Sequence, residues 1–354
     1  MLVRWTPQFN AFVCLELSSL SVFVTGDFLQ LQQDVKTSIR NAFAPGTWKN
    51  FKVQWKAYFL FCHYFDMPPL PASLDILCSY AQFLGRSFKS HSSISNYLSG
   101  VRSLHLFADV PCPSLSDFQL KLLLRGLARE KAHCPVQAAP VTLDVLLRIR
   151  MQLDLAKPLH ATFWCLFLFA FFLMARKSNL VPDSIPSFDP DKQLIRDRVK
   201  ILEDHLIVTF PWSKTNQFGN RLLEIPLCEI PHSPLCPVSA FRHMCSLVPA
   251  QGRSPAFSKK VGRGVVPITY QEFQKFLKTS LSAAGINPVA FSSHSFRRGG
   301  ATFAFQSQVP VELIQLHGDW ASDAYKLYLC YSLKDKLKVS QSMREQINTF
   351  TLRN

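Results

Sequence analysis

The stretch from His294 to Tyr331 reads HSFRRGGATFAFQSQVPVELIQLHGDWASDAYKLYLCY, and it is the most informative part of the sequence. His294 and Arg297 are three residues apart, so a helix presents both side chains on one face. Gly299 and Gly300 follow at once, and residues without a side chain let another backbone come very close. The stretch therefore predicts a closely packed helix that presents a histidine and an arginine together.

The rest of this stretch adds an indole and a tyrosine hydroxyl. An apolar run predicts a second helix that ends at Gly318, and Trp320 follows it. Ser322 can cap a further helix, on which Tyr325 and Tyr328 share one face. A histidine, an arginine, an indole N–H and a tyrosine hydroxyl thus converge, and this set suits a phosphate diester under attack.

The order of these motifs resembles the tyrosine recombinase (phage integrase) family: His-x-x-Arg, then Gly with a Trp or His, then a Tyr eight or nine residues on. The variant GDWASDAYKLY, residues 318–328, is most similar to the enzymes of DIRS-type, Ngaro and Crypton mobile elements. The family pattern implies two more residues upstream, an arginine after a buried helix and a lysine in a β-hairpin. Arg176 in ARKSNL and Lys214 in WSKTNQ match them in the right order.

The resemblance implies DNA strand cleavage and rejoining that needs no metal ion or other cofactor. Tyr328 would attack the scissile phosphate and form a 3′-phosphotyrosyl link that conserves bond energy for rejoining. Arg176 and Arg297 would bind the non-bridging oxygens with planar, permanently charged guanidinium groups. Because negative charge grows in the transition state, this binding stabilises the transition state more than the ground state.

Three more residues take roles from the same resemblance. Lys214 would protonate the leaving 5′-oxygen, and His294 would take the tyrosine proton or hold the phosphate. Trp320 stands where many relatives have His, and its indole N–H can only donate. In bacterial and phage members an acidic residue usually comes three positions after the first arginine, where this chain has Asn179. We expect Asn179 to orient Arg176 by hydrogen bonding instead.

The choice of nucleophile has an alternative. Tyr328 lies eight residues after Trp320, but Tyr325 lies eight residues after His317, so a shift of three residues gives a second self-consistent pair. The pattern of the mobile-element enzymes places the reactive tyrosine last. That pattern favours Tyr328.

Composition and charge indicate an intracellular protein with an acidic partner. The formal net charge is +15 and the pI is near 9.5, so double-stranded DNA is the expected partner. The ten cysteines lie far apart without a Cys-x-x-Cys motif, which is typical of reduced core cysteines and argues against a zinc site. The apolar run from Ala161 to Ala175 is shorter than the roughly 20 residues that span a bilayer. We therefore expect a buried helix there and no membrane contact, while nuclear residence follows only from the DNA substrate.

The expected fold is mainly α, in two domains. Residues 1–35 show no firm pattern and are treated as an appendage. Residues 36–132 contain four helices that resemble the core-binding domain of the family, the first of them capped by Thr47. Two prolines and the lack of a helical period mark 133–141 as the interdomain linker. Residues 142–354 form the catalytic domain and its helical C-terminal tail.

The catalytic domain is predicted to be mostly helical with a small antiparallel sheet. Thr142 caps its first helix, and a very apolar helix runs from Pro158 to Arg176. Between Leu194 and Leu227 the pattern becomes strand-like. Lys214 lies at a turn of this sheet.

Basic side chains of the first domain are candidate DNA contacts. They form a stripe on its first helix and a pair on its third helix, and they are Lys49, Lys52, Lys56, Arg102 and His105. Lysines on an exposed helix face are ordinarily just solvated, but in a domain that grips DNA they would contact phosphates. Arg102 and His105 are three residues apart, so they are expected to project together.

The expected function is integration or excision of a mobile element by a dimer to tetramer assembled on two DNA sites. The alternative is an element-derived DNA-binding protein that no longer recombines, although the intact set from Arg176 to Tyr328 argues against such decay. Type IB topoisomerases share the same Arg, Lys, Arg, His and Tyr chemistry, but the two-domain layout favours recombination. A function as a helical protein-interaction scaffold would not explain the net charge of +15.

Overall fold

The structure, a computed structural model, describes residues 28–132, 137–218, 221–330 and 333–351. The chain divides into two compact units, Met1–Pro135 and Val136–Asn354. The predicted linker, 133–141, spans the division. Both units are mainly helical, and the β-strands of the described residues all belong to the second unit.

Five helices make up the described part of the first unit, and they are α1 Phe28–Asn41, α2 Pro45–Tyr64, α3 Leu74–Ser87, α4 His91–Ala108 and α5 Phe118–Lys131. Helix α1 begins within the predicted appendage, and none of its side chains is buried. Helix α2 begins at Pro45, ahead of the predicted cap Thr47, because the fixed φ angle of proline suits the first helical turn. Helices α2 to α5 occupy the positions of the four predicted helices.

The interior of the first unit is rich in aromatic rings. Tyr58 and Phe61 of α2 pack on Tyr80 of α3, with ring centres 5.1 and 5.0 Å from that of Tyr80. The Trp55 indole N–H donates to the carbonyl oxygen of Gly100 on α4 at 2.8 Å. These contacts hold one face of α2 in the core and leave its lysine-bearing face in solvent.

Eight helices lie in the described part of the second unit, and they are α6 Leu143–Met151, α7 Pro158–Phe172, α8 Lys177–Leu180, α9 Pro237–Leu247, α10 Tyr270–Ala283, α11 Ser293–Gln306, α12 Val311–His317 and α13 Leu333–Thr351. Short 3-10 turns occur at Ile185–Ser187, Arg196–Arg198, Pro288–Ala290 and Asp323–Leu327. The predicted cap of α6 is confirmed, since the Thr142 hydroxyl accepts from the Val145 N–H at 3.3 Å.

Helix α7 is the centre of the second unit, and the predicted buried helix is confirmed. Every residue from 161 to 171 is buried. The ring of Phe163 stacks on Phe276 of α10 at 3.9 Å, and that of Phe167 stacks on Phe296 of α11 at 5.1 Å. Burial of one such ring contributes roughly 1.5–3 kcal/mol. Within the described ranges, no helix combines the length and the apolar character needed to cross a membrane.

The predicted small antiparallel sheet is present, with strands in the order β1 Val199–Ile201, β2 His205–Phe210 and β3 Leu223–Cys228. Phe210 pairs with Leu223, so the turn with Lys214 leaves the sheet between these two residues. A second hairpin, β4 Ser258–Val261 and β5 Gly264–Pro267, is absent from the sequence prediction. Its strands have only four residues each, which is too short for a clear alternation of apolar and polar side chains.

Part of the predicted linker is a fixed element of the second unit. The N–H groups of Ala139 and Val141 donate to the carbonyl oxygens of Ala290 and Ser295 at 2.7 and 2.9 Å, and Val141 is fully buried. A Cβ atom at Gly299 would collide with the backbone of Val141, and one at the next glycine would collide with the backbone of α7. The predicted close approach at these glycines is confirmed.

Candidate active site

Helix α11 carries two residues of the predicted site. The N–H of Ser292 donates to the Ser295 hydroxyl at 3.0 Å and fixes the start of the helix. His294, in the first turn, is exposed, whereas Arg297 has only 2% of its surface exposed. The spacing of three residues therefore joins a solvent-facing histidine to a buried arginine.

The guanidinium group of Arg297 contacts the rings of Trp320 and Tyr328. Its Cζ atom lies 3.7 Å from the Trp320 ring centre and 5.4 Å from the Tyr328 ring centre. The centres of the Trp320 and Tyr328 rings are 5.3 Å apart, and the His294 ring centre is 6.5 Å from that of Tyr328. The Nη1 group of Arg297 also donates to the carbonyl oxygen of Met174, just after α7. Four of the six predicted residues thus lie together.

Gly318 permits the position of Trp320. Helix α12 ends at His317, and Asp319 then takes a left-handed φ of 55°. The chain folds back so that the indole covers Gly318, where a Cβ atom would collide with the ring. The Gly-Asp-Trp sequence is the local feature that turns the indole towards Arg297.

Three buried donors at this point have no partner among the described residues. They are Nε and Nη2 of Arg297 and Nε1 of Trp320. A buried donor without a partner costs about 1–3 kcal/mol, and a charged one costs more. Such a cost is expected where a ligand with acceptor oxygens completes the site.

The surroundings of Arg297 disfavour its positive charge. Burial, and then repulsion from Arg176, lower the pKa of Arg297 to about 9, although Tyr328 and Asp319 partly offset this shift. The group therefore stays charged at neutral pH. An anion between the two arginines would relieve the repulsion that lowers this pKa.

Arg176 lies in the extended segment after α7, which ends four residues earlier at Phe172 and not at Arg176 as predicted. Its Nη1 donates to the Asp319 carboxylate at 2.8 Å, and its Nη2 donates to the Asp319 carbonyl oxygen at 2.9 Å. Asn179 does not take the expected part in this contact, because its amide donates to the Trp212 carbonyl oxygen at 2.8 Å. Asp319 therefore orients Arg176.

Lys214 is at the predicted turn, and its side chain is exposed. Its neighbours Ser213 and Thr215 both donate to the Asp319 carboxylate at 2.5 Å. The charge of Lys214 is near enough to act on His294. The turn therefore belongs to the same constellation of residues.

His294 is set to be neutral at neutral pH. Although the residue is exposed overall, the protein around its ring reduces the hydration of the charged form and lowers its pKa. The charges of four cations lower the pKa further, in the order Arg297, Lys177, Arg176 and Lys214. A neutral imidazole has one nitrogen that can accept a proton. His294 can therefore act as the acceptor of a proton from the adjacent tyrosine.

The two candidate tyrosines differ in their surroundings. Tyr325 has 5% of its surface exposed and packs in an apolar cluster with Trp320, whereas Tyr328 is half-buried beside Arg297. Helix α11 also fixes the backbone around Tyr328. Arg298 donates to the Leu327 carbonyl oxygen at 2.6 Å, and the hydroxyl of Thr302, one turn further along α11, donates to the carbonyl oxygen of Tyr328 at 3.2 Å.

The candidate DNA contacts of the first unit divide into two groups. Four are exposed, and they are Lys49, Lys52, Lys56 and Arg102. The prediction for His105 is wrong, because this side chain is fully buried. Its Nδ1–H donates to the Val101 carbonyl oxygen, and its Nε2 accepts from the Ala72 N–H, both at 2.8 Å. His105 is a satisfied core histidine.

Sequence reasoning missed three residues that shape the site. Arg298 directly follows the His-x-x-Arg motif and Thr302 comes four residues later, so helical spacing could have identified them. Asp319 had no such signal, because it acts on a residue 143 positions away in the chain.

Comparison with known proteins gives a distant sequence relative and a widely shared fold. No protein-family model matches the chain. An integrase/recombinase XerD homolog from Selenomonas ruminantium is 21% identical over 286 residues, which cover 79% of this chain and 80% of the relative. The XerH site-specific recombinase bound to its difH substrate superposes with a TM-score of 0.57 at 14% identity, covering 96% of this chain and 90% of XerH.

Two further structures share the fold. A λ integrase dimer bound to a COC′ core site has a TM-score of 0.54 at 14% identity, over 93% of this chain and 88% of that one. The Tn1549 transposon integrase in complex with transposon right-end DNA has a TM-score of 0.52 at 13% identity, over 88% and 98%. The chain therefore shares its fold with these recombinases and integrases and has a distant sequence similarity to the XerD homolog.

Proposed function

We propose that the chain is a site-specific DNA recombinase that cuts and rejoins strands through a 3′-phosphotyrosyl intermediate. The observation that carries the proposal is the cluster of unpaired donors on Arg297 and Trp320 beside the ring of Tyr328. A phosphate diester offers the acceptor oxygens that these donors lack. The similarity to the XerD homolog and the fold shared with XerH and λ integrase support the same activity.

In the proposed cleavage step, the phenolic oxygen of Tyr328 attacks the scissile phosphorus and a P–O bond to tyrosine forms. The bond from phosphorus to the 5′-oxygen breaks, which leaves a 3′-phosphotyrosyl link and a free 5′-hydroxyl. His294 takes the tyrosine proton, and Lys214 gives a proton to the departing oxygen. Rejoining reverses the step with a 5′-hydroxyl as the nucleophile, so no external energy source is needed.

The cationic groups stabilise the charge that builds up during the attack. Arg176 and Arg297 bind the non-bridging oxygens, and their repulsion in the free protein is relieved by the phosphate. The indole N–H of Trp320 adds a neutral donor in a place that solvent does not reach. Because all three groups are held in position before DNA arrives, little reorganisation accompanies the reaction.

The finer features of the proposal rest on resemblance. The motif at 318–328 is the reason to assign the chain to the DIRS, Ngaro and Crypton branch, and the fold shared with the Tn1549 transposon integrase supports an origin in a mobile element. The λ integrase structure is a dimer on DNA, which supports self-association of this chain into dimers and, across two sites, tetramers. Nuclear residence is proposed from the DNA substrate alone.

The test is trapping of the covalent intermediate. Purified protein is incubated with nicked duplexes made from the sequences that flank its own coding region, so that cleavage releases a short strand and cannot be reversed. A denaturing gel reveals the adduct, and peptide mapping locates it. Wild-type protein and Tyr325→Phe are expected to form an adduct on Tyr328, whereas Tyr328→Phe is expected to form none.

Other outcomes would assign a different function. An adduct on Tyr325 would mean that the alternative register is correct. DNA binding without an adduct would favour the element-derived binding protein. Relaxation of supercoiled plasmid without any strand exchange would favour a type IB topoisomerase.

A further inference from the structure

The carboxylate of Asp319 is a buried charge that no step of the proposed reaction uses. Only 4% of the residue's surface is exposed. One oxygen, Oδ2, accepts from Arg176 at 2.8 Å and from the hydroxyls of Ser213 and Thr215 at 2.5 Å each. The other oxygen, Oδ1, accepts from Arg221. Four donors from two separate segments of the chain therefore meet on one side chain.

Two of these donors lie on either side of Lys214. Ser213 is buried, and its hydroxyl also accepts from the N–H of Thr215 at 3.2 Å and from the N–H of Asn216 at 3.1 Å. The Asp319 carboxylate thus fixes the backbone before and after Lys214 and leaves the Lys214 side chain in solvent. Within the turn, the Asn216 amide donates to the carbonyl oxygens of Pro211 and Arg221 at 3.3 and 2.6 Å, so Asp319 adds an anchor from outside the turn.

The same residue also fixes Arg176. A guanidinium group has five N–H donors in a planar fork. Asp319 accepts through its carboxylate at Nη1 and through its carbonyl oxygen at Nη2, which defines the orientation of the fork. Asp319 has a left-handed φ of 55°, so its backbone and its side chain both reach Arg176.

The carboxylate stays ionised at neutral pH. Burial raises its pKa, but the hydrogen bonds from Ser213, Thr215 and Arg176 together lower the pKa below its ordinary value. The negative charge also offsets part of the repulsion between Arg176 and Arg297 in the free protein.

We propose that Asp319 is a positioning residue that holds both Arg176 and the Lys214 turn in register for the reaction. The inference rests on the proposed function, in which Arg176 binds the phosphate and Lys214 protonates the leaving oxygen. Asp319 itself does not touch DNA. One residue next to Trp320 thereby aligns the two catalytic cations that lie far from it in the sequence.

The kinetic test compares two nicked duplexes, one with the ordinary 5′-oxygen and one with sulfur in its place. A thiol has a pKa of about 8.5, so a sulfur leaving group departs without a proton donor. We expect Lys214→Ala to lose adduct formation on the oxygen substrate and to regain it on the sulfur substrate. We expect Arg176→Ala to lose it on both.

Asp319→Asn keeps the shape of the side chain and removes its charge. Its rate of adduct formation should fall about 100-fold on the oxygen substrate, as small displacements of catalytic groups do, and should recover in part on sulfur. The double variant Ser213→Ala with Thr215→Val removes the long contact of Arg176 with the Thr215 hydroxyl at 3.4 Å but keeps both shorter contacts of Arg176 with Asp319, so most of its loss should recover on sulfur. Asp204→Asn, which removes an exposed carboxylate at the β1–β2 turn, is the matched control and should cleave like wild type.

A wild-type rate or a faster rate for Asp319→Asn on oxygen would overturn the proposal, and so would an equal loss on both substrates. Hydrogen exchange in the free protein gives a test that does not depend on chemistry. Exchange in the peptide 211–218 should accelerate in Asp319→Asn and stay unchanged in Asp204→Asn. Unchanged exchange in Asp319→Asn would overturn the proposal even if wild-type protein formed no adduct, and that lack of adduct would count only against the proposed function.

Discussion

The guanidinium group of Arg297 lies over the indole of Trp320, with its Cζ atom 3.7 Å from the ring centre. Electrostatic attraction between a buried cation and the face of a tryptophan ring contributes about 2 kcal/mol. Each partner nevertheless keeps a donor without a hydrogen-bond partner among the described residues. The cation–π contact therefore stabilises the pair, while its donors still lack acceptors. This combination is expected of a site that binds an anion.

We expect Trp320→Phe to separate activity from stability. The change keeps an aromatic ring against Arg297 and removes the indole N–H, and loss of one such donor lowers a rate about 100- to 1,000-fold. The control is Trp164→Phe on α7, whose indole N–H donates to the Pro234 carbonyl oxygen at 3.3 Å. Trp320→Phe loses no hydrogen bond of the free protein, so it should lower the melting temperature less than Trp164→Phe does. Adduct formation at the wild-type rate by Trp320→Phe would show that the indole N–H has no part in the reaction.

Arg297→Lys is expected to keep the charge and lose the function. An ammonium group cannot bind two phosphate oxygens through a planar fork, and it cannot reach the Met174 carbonyl oxygen at the same time. We expect adduct formation to fall about 100-fold. Arg148→Lys is the matched control, because Arg148 also donates to a backbone carbonyl oxygen, that of Ala284, at 2.6 Å. Equal rates for the two variants would contradict the assignment of Arg297 to the phosphate.

The parts of the fold that local chemistry determines could be predicted from the sequence. The cap at Thr142 and the buried run of α7 depend on residues next to one another in the chain, and both are confirmed. The hairpin from Ser258 to Pro267 was not predicted, because its strands are too short to show a clear alternation of apolar and polar residues. The end of α7 was placed too late because Arg176 follows an apolar run, although the helix stops four residues earlier.

The site was predictable only where its motifs are contiguous. His294, Arg297, Trp320 and Tyr328 lie within one stretch, and the structure brings them together. The partner of Arg176 could not be found in this way. The expected partner was Asn179, but the observed partner is Asp319, which lies 143 residues away in the sequence. Asp319 follows α12, whose last residue, His317, is hydrogen-bonded through Nε2 to the carbonyl oxygen of Phe172 at the end of α7 at 2.8 Å.

The depressed pKa of His294 predicts an acid limit on cleavage. At neutral pH the imidazole is neutral and can take the Tyr328 proton, and it becomes protonated only as the pH falls through a pKa below the ordinary value of about 6.5. Adduct formation should therefore be constant just above neutrality and fall in more acidic solution. His294→Asn should cleave slowly, and its rate of adduct formation should no longer fall in acidic solution. The NMR signal of His294 can be assigned as the histidine signal that is missing in His294→Asn. If this signal gave a pKa above about 6.5 in the free wild-type protein, the prediction would be contradicted.

Arg102 and His105 are expected to respond differently to substitution, although they are three residues apart. The apolar face of α4 includes Leu98 and Val101 and continues to His105, so the histidine turns inward while Arg102 stays in solvent. His105→Ala removes two buried hydrogen bonds and should lower the free energy of unfolding by about 2–5 kcal/mol. Arg102→Gln should leave stability unchanged and weaken DNA binding with a salt slope that is shallower by about 1. A stable His105→Ala protein with weakened DNA binding would restore the sequence prediction for His105.

The lysine stripe on α2 is expected to contribute to DNA affinity through counterion release. Lys49, Lys52 and Lys56 are all exposed, and their spacing of three and four residues places them on one face of α2. Each phosphate contact adds about 0.9 to the steepness of log K against log salt. Replacing all three by Gln should therefore make the slope shallower by about 3, measured by fluorescence anisotropy of a labelled duplex between low and moderate salt.

The control for the stripe removes the same charge from other exposed positions of the first unit, at Lys89, Lys121 and Arg129. If the stripe is the contact, the control variant keeps most of the wild-type slope because net charge alone acts through weaker, screened interactions. An equal change of slope in both variants would mean that the stripe is an ordinary solvated face. Retention of the melting temperature in both variants is expected, because neither set of side chains is buried.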